Sequence, residues 1–293
     1  VHPAPYWWPD PKKKDGLPYI KRDGRRVPGT EMYEPDSDRY DRTRLQRLFD
    51  DGISLALTSL ISNDVRYVQH AAAWLRRWFV DPATRMNPHL LSSQVRMGHN
   101  RNEGFCFGLI EMKDLYYYLD AVRIMERFEV LTSDEPAAFR GWLTEYLDWL
   151  LSSRNGRAEL RSVNNHGAYY DLQVASIAAF LGNHTVLFNA LIRARDRIAL
   201  QFSPNGVPFD EMTRTQTQHY CCFNLQGWLN LASLAQRYGD DLAGYCANNG
   251  ASLQAAVNWL SCHFGWPWPY PQIDDFDTDR YAPIVRLAKQ LGL

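Results

Sequence analysis

The chain has 293 residues, enough to bury a sizeable core in one large domain or two small ones. Hydrophobic residues at 45% and charged residues at 22% make an ordinary globular composition and argue against disorder. A formal net charge of −1 offers no general field for nucleic acid or an anionic membrane, and no apolar run is long enough to span a bilayer.

The chain begins without Met at Val1, so we expect the processed form of a secreted or periplasmic protein whose signal peptide has been removed. Prolines at 3, 5, 9, 11, 18 and 28 forbid a long helix in residues 1–40. That stretch reads as an extended Pro/Trp-rich arm, anchored on the body by Trp7, Trp8 and Tyr19. Lys12, Lys13 and Lys14 within it read as surface charge.

Helical periodicity takes over from Asp41. Leu45, Leu48, Phe49, Ile53, Leu57 and Leu60 form one apolar stripe, and Val65, Val68, Ala72, Leu75 and Phe79 a second. Further helices are predicted at roughly 105–130, 134–153, 168–182, 184–200, 221–238, 250–263 and 280–291. Period-2 alternation is confined to 213–220. Nine or ten helices with short links predict a single all-α domain of antiparallel hairpins, arranged as a ring or partial toroid. The segment Phe264-Gly-Trp-Pro-Trp-Pro-Tyr-Pro271 reads as a rigid extended closure.

Five cysteines (Cys106, Cys221, Cys222, Cys246 and Cys262) leave at least one unpaired, and their spacing assigns no disulfide. No zinc-type spacing occurs, and neither metal nor cofactor is expected. Ten Trp and sixteen Tyr exceed the needs of a core, and such rings serve sugar sites as flat apolar platforms. Core packing explains at least one of Tyr116, Tyr117 and Tyr118, which face three directions on a helix.

Two polar segments carry the chemistry. Ser162-Val-Asn-Asn-His-Gly-Ala-Tyr169 stands before an apolar helix, and capping is the first explanation for its paired Asn residues. The second, Thr213-Arg-Thr-Gln-Thr-Gln-His-Tyr220, runs straight into another apolar helix, where a site is expected. Between them they hold what β-elimination from a uronate requires. Amide or Arg donors (Asn165, Arg214) offset the carboxylate that otherwise makes the C5 proton very weakly acidic. An imidazole (His166) and a phenol (Tyr220) serve as base and acid, in an order the sequence leaves open. A free phenol near pKa ~10 is only about 0.1% ionised at pH 7, and a neighbouring cation raises that fraction. As a strand, 214–220 would separate Arg214 from Tyr220 by about 20 Å. As a continuous helix it would set them about 9 Å apart along the axis, on different faces. We therefore predict a bend between them, with Tyr220 in the first turn of the next helix and Thr215 or Thr217 near its cap.

These residues resemble the alginate-lyase-like superfamily of helical polysaccharide lyases. The likeness is strongest to polysaccharide lyase family 38 and more distant to the family 5 alginate lyases. It runs through YWWPDPKKKDGLPYIKRDG, WFVDPATRMNPHL, NNHGAYYDLQ, RTQTQHY and FNLQGWLNLA, nearly end to end. The resemblance implies an incomplete (α/α) toroid with a long cleft and metal-independent elimination. By motif, Asn165 and His166 match the Asn-His pair, Arg214 the arginine facing the carboxylate, and Tyr220 the catalytic tyrosine. Asn102 matches a loop amide, although this chain continues Glu-Gly-Phe-Cys-Phe-Gly where comparable members have a Gly-Arg-Gly-like sequence. Asn102, Arg101, His99, Asn164, Tyr169 and Gln218 are the expected substrate contacts, and Arg96 joins His99 and Arg101 in a basic cluster.

The expected substrate is an acidic polysaccharide, polymannuronate (alginate) or β-1,4-glucuronan, bound by a monomer without nucleic acid or membrane. Mannuronate and glucuronate share configuration at C4 and C5, so one Tyr could act as base and then acid on one face. Guluronate is inverted at C5 and calls for His166 on the opposite face. Two rival readings remain. A glycoside hydrolase would use two carboxylic acids, for which Asp210, Glu211 and Asp171 are available. A non-catalytic binding protein would keep the fold and lose little when Tyr220 is replaced by Phe.

Overall fold

The computed structural model describes residues 2–293, which are mostly helical, with ten α-helices and one two-stranded sheet among them. Contacts divide the chain into two compact units. One holds the chain up to Arg157 together with Phe180–Gly182; the other holds Ala158–Ala179 and Asn183–Leu293. No helix of the described residues is long and apolar enough to cross a membrane.

In the first unit the Pro-rich arm is extended and hydrogen-bonded to residues 92–97. The Ala4 N–H donates to the Val95 carbonyl at 3.0 Å, the Val95 N–H to His2 at 3.0 Å, and the Tyr19 N–H to Met97 at 2.9 Å. Two short strands, β1 (Trp7–Trp8) and β2 (Ile20–Lys21), pair antiparallel within the arm. Trp7 meets the His99 ring edge-on at 5.1 Å, and the Arg96 guanidinium lies over Trp7 at 4.5 Å and over Phe105 at 3.9 Å. Gly98 makes this docking possible: its φ is +81°, and a Cβ there would stand 2.7 Å from the Pro18 Cα.

The first-unit helices are α1 (Asp41–Ser62), α2 (Val65–Leu75), α3 (Leu115–Arg127) and α4 (Glu135–Ser152). α1 packs on α2 and α3. Leu45, Leu48, Phe49, Val68, Ala72, Leu75 and Phe79 are buried as their periodicity demands, whereas Leu57 and Leu60 are exposed. The buried line of α1 runs instead through Gly52, Ala56 and Ser59. α2 continues into a π-helical turn, Arg76–Val80. The helix expected over 105–130 is broken in two. Cys106–Met112 forms a 3-10 turn, in which the Ser93 hydroxyl claims the Gly108 carbonyl at 3.1 Å, and α3 begins at Leu115.

The second unit holds the end of α5 (Arg154–Leu160) and most of α6 (Asn165–Leu181), with α7 (His184–Gln201), α8 (Thr217–Arg237), α9 (Leu253–Ser261) and α10 (Tyr281–Leu291). α8 packs on α9 and α10. α6 is buried almost all round, from Ala168 through Ala178, as a helix apolar on every face must be. α5 lies in a stretch whose polar sequence reads as a loop; its buried side chains, Asn155 and Glu159, are polar and leave no apolar stripe. The Trp/Pro segment near the C-terminus is tied to the start of α8. The Thr217 N–H and hydroxyl both donate to the Pro271 carbonyl, at 3.0 and 2.6 Å, and the Trp268 indole donates to the Thr217 hydroxyl at 2.7 Å.

The first unit's core centres on Phe79, whose ring lies 4.6 Å from Trp142 and 5.4 Å from Phe139. Phe79→Ala should lower unfolding free energy in urea by about 3–5 kcal/mol, through lost burial and the cavity left behind. Ile61→Ala, at a side chain 87% exposed, should change it by less than about 0.5 kcal/mol.

Candidate active site

The predicted bend is present. Glu211–Thr213 forms a single 3-10 turn, Arg214 is extended (φ −82°, ψ 160°), and α8 starts at Thr217. Tyr220 is therefore in the first turn of α8, while Thr217 serves the C-terminal segment rather than capping. The chain reversal brings Arg214 back over Tyr220, with its guanidinium carbon 3.6 Å from the ring centroid, a cation–π contact.

The other segment forms the first turn of α6. The Asn164 side-chain oxygen accepts the His166 N–H at 3.1 Å, and its carbonyl accepts from the Gln201 amide at 2.6 Å, so Asn164 caps the helix. Gly167 has no alternative residue here. A Cβ would lie 2.1 Å from the Ser162 carbonyl and 2.2 Å from the Arg197 guanidinium. Arg197 is buried, donating to the Ser162 carbonyl and, at 2.8 Å each, to the Leu160 carbonyl and Asp171.

One carboxylate joins the two segments. Glu211 is 1% exposed and accepts from the Asn165 backbone N–H at 2.7 Å. The Asn165 amide nitrogen lies 2.9 Å from each of its oxygens. Burial pushes the Glu211 carboxyl up, while the Asn165 donors and the charges of Arg214 and His166 act in the opposite direction. Asn165 thus binds a buried acid that also feels the charges of His166 and Arg214, and Tyr220 lies beneath Arg214. A second buried acid, Glu159, sits 2.6 Å from His166 Nδ1. That hydrogen bond orients the imidazole through Nδ1.

Tyr169 is buried, donating to the Phe223 carbonyl at 3.1 Å and stacking on the Phe223 ring at 4.3 Å. Gln218, also buried, donates to the Tyr281 hydroxyl at 2.6 Å. His99, Arg101 and Asn102 belong to the first unit. His99 Nε2 donates to the Tyr19 carbonyl at 2.7 Å, and the exposed Asn102 accepts the Gly98 N–H at 2.7 Å. Asn100, Arg101 and Asn102 all have left-handed φ, unusual for Arg, so the loop is held in a costly conformation.

Sequence reasoning missed Glu211 and Glu159 as partners of the Asn-His pair, weighing Glu211 only as a hydrolytic acid. The available signal was Asp210-Glu211 directly ahead of the polar run. Asp171, another hydrolytic candidate, is completely buried and engaged by Arg193 and Arg197 at 2.6 and 2.8 Å. None of the five cysteines forms a disulfide; burial raises the thiols of Cys221 and Cys222, the latter to about 12, which makes them poor nucleophiles. Among the described residues no group of three or more His, Cys, Asp or Glu could hold a metal ion.

The sequence model of the alginate lyase family matches residues 1–263, which include both segments of the site. The chain belongs to the alginate lyase family. This lyase is similar to an alginate lyase from Bacteroides ovatus, with 32% identity over 100% of this chain and 77% of that one, at a TM-score of 0.93. It shares its fold with alginate lyase A1-III from Sphingomonas species A1, at 14% identity, a TM-score of 0.65, and coverage of 94% of this chain and 74% of that one. No curated protein matches it.

The buried acid of the lyase gives a pH signature. Because burial raises the Glu211 carboxyl above its ordinary 4.5, the stability it contributes is complete below that value and is lost as pH rises through the folded-state value. Glu211→Gln cannot titrate. The stability of the parent relative to this variant, from urea unfolding, should therefore fall as pH rises above 4.5 and then level off. A difference constant from pH 4 to 8 would contradict the assignment.

Proposed function

We propose that this lyase depolymerises a 4-linked polyuronate, polymannuronate or β-1,4-glucuronan, by metal-independent β-elimination that leaves a 4,5-unsaturated uronate at the new end. The observation that carries this reading is the placement of Arg214 over Tyr220, with Asn165 bound to Glu211 just ahead of Arg214 in the chain and His166 next to Asn165. Elimination needs a fixed cation at the substrate's acid group and a proton-transfer group beside it, and Arg214 and Tyr220 supply that pair.

In this mechanism Arg214 offsets the negative charge that grows on the substrate carboxylate as the C5 proton leaves. Asn165 donates to Glu211, so it acts chiefly by holding that acid and Arg214 in register. Tyr220, as the phenolate, takes the C5 proton; for a substrate eliminated on one face, the resulting phenol gives that proton to the C4 oxygen as the C4–O bond breaks and the C4–C5 double bond forms. The guanidinium over the ring favours the phenolate from which this transfer starts. His166, with Nδ1 fixed by Glu159, presents Nε2 chemistry for the opposite face, as guluronate would require. The likeness to polysaccharide lyase family 38 belongs to the same reading, as do an incomplete (α/α) toroid, action as a monomer and a secreted or periplasmic location. The hydrolase alternative loses ground with Asp171, whose two oxygens are bound to arginines.

Incubation with polymannuronate, polyguluronate, glucuronan and pectate should produce the ultraviolet absorbance of an unsaturated uronate with the first or third. New reducing ends without that absorbance would mean hydrolysis instead. Tyr220→Phe should lower kcat by about 10²–10⁴-fold while leaving the helical circular dichroism unchanged. Undiminished turnover in that variant would remove the phenol from the mechanism.

A further inference from the structure

The first unit contains a cavity of about 900 Å3 that the mechanism does not use, in the upper range of known ligand clefts. Its walls include four arginines, Arg42, Arg44, Arg77 and Arg85, against two acids, Asp41 and Glu111. Two of the arginines are already satisfied. Arg42 donates to Glu111 at 2.6 Å and Arg44 to Asp41 at 3.1 Å. Glu111 is further bound by Gln94 at 2.7 Å, and His2 pairs with Ser93 at 2.8 Å, so that part of the wall is a closed network.

Arg77 and Arg85 differ. Neither guanidinium has an acidic or carbonyl partner among the described residues, and both are exposed. Their backbone is nevertheless rigid. Arg77 lies in the π-helical turn, a local geometry that recurs at functional sites. Its carbonyl accepts the Thr84 hydroxyl at 2.6 Å, the Arg85 N–H donates to Asp81 at 2.8 Å, and the Met86 N–H donates to Trp78 at 2.8 Å. The Met86 carbonyl in turn accepts the buried Trp142 indole at 2.7 Å. Two uncompensated guanidiniums on a fixed frame, with the half-buried indole of Trp78 between them in sequence, make a preorganised receptor for an anion that also has an apolar face.

We propose that this cavity is a binding site for a uronate residue. Arg77 and Arg85 hold its carboxylate, Trp78 packs against its ring, and Asn87 and His89 meet its hydroxyls. The choice of a uronate over other carboxylates rests on the polyuronate reading; the cation pair and the cavity do not.

The test is calorimetric titration of full-length Tyr220→Phe protein with a saturated mannuronate or glucuronate hexasaccharide, which that background leaves uncut. Adding Arg77→Ala and Arg85→Ala together should weaken Kd by about tenfold to a hundredfold and flatten its dependence on salt. Lys12→Ala with Lys13→Ala removes the same charge elsewhere on the surface and should change Kd by less than twofold; a neutral mannan hexasaccharide should not bind. Unfolding midpoints of the variants should match, since all four positions are exposed. The proposal is overturned if the arginine variant binds within twofold of its parent, if the lysine control weakens binding as much, or if the parent binds neither uronate. Product absorbance from the unmutated enzyme is scored separately, so loss of this site leaves the elimination reading standing, and the reverse.

Discussion

The site depends on one buried carboxylate. Removing an acid from water is expensive unless every lone pair meets a donor, and Glu211 is shut away from solvent. Its donors come from the first residue of α6, through both backbone and side chain. A helix N-terminus suits this role, because its first N–H groups lack intrahelical partners and carry partial positive charge. Satisfying Glu211 pins the turn before α8 to the mouth of α6. The registry of Arg214 and Tyr220 with His166 is thereby a by-product of relieving a desolvated charge.

A second layer of the same kind stands behind the first. Asp171, one helical turn and a half into α6, is fully buried and binds Arg193 and Arg197. Arg197 then uses its remaining donors on the carbonyls of Leu160 and Ser162, fixing the polar loop that leads into α6. This explains Gly167, since any side chain there would occupy the space the guanidinium needs. It also explains why acids near the site do not make a hydrolytic pair. Asp171 and Glu211 are structural charges whose oxygens are already committed, whereas a glycosidase needs two acids facing the scissile bond.

Much of this was legible in the sequence because it is local. Apolar periodicity located most helices, and the separation of 214 from 220 ruled out both a straight strand and a straight helix, which left a bend. Asn164 as a cap follows from its type and place. What escaped had no local signature. The contact of Glu211 with Asn165 spans 46 residues, and no spacing rule announces it. Helix α5 escaped because Asn155 and Glu159 fill its buried positions, so hydrophobic periodicity was blind to it. The 105–130 segment failed for a related reason: a serine hydroxyl distant in sequence takes a carbonyl that a continuous helix would have used.

The pairing of Arg214 with Tyr220 also settles why this position suits arginine better than lysine. A guanidinium is planar, so it can lie flat on a phenol ring with one face while its in-plane N–H groups still donate sideways. An ammonium over the same ring would point its few donors in all directions and would hold water more tightly. In the proposed elimination, negative charge would pass from the phenolate to the substrate's acid group, both beside the same cation. A single delocalised charge, locked by stacking at 3.6 Å, can respond to both without moving. Cation and phenol are six residues apart and meet only because the chain reverses between them. In the proposed mechanism the bend before α8 is therefore as necessary as either side chain.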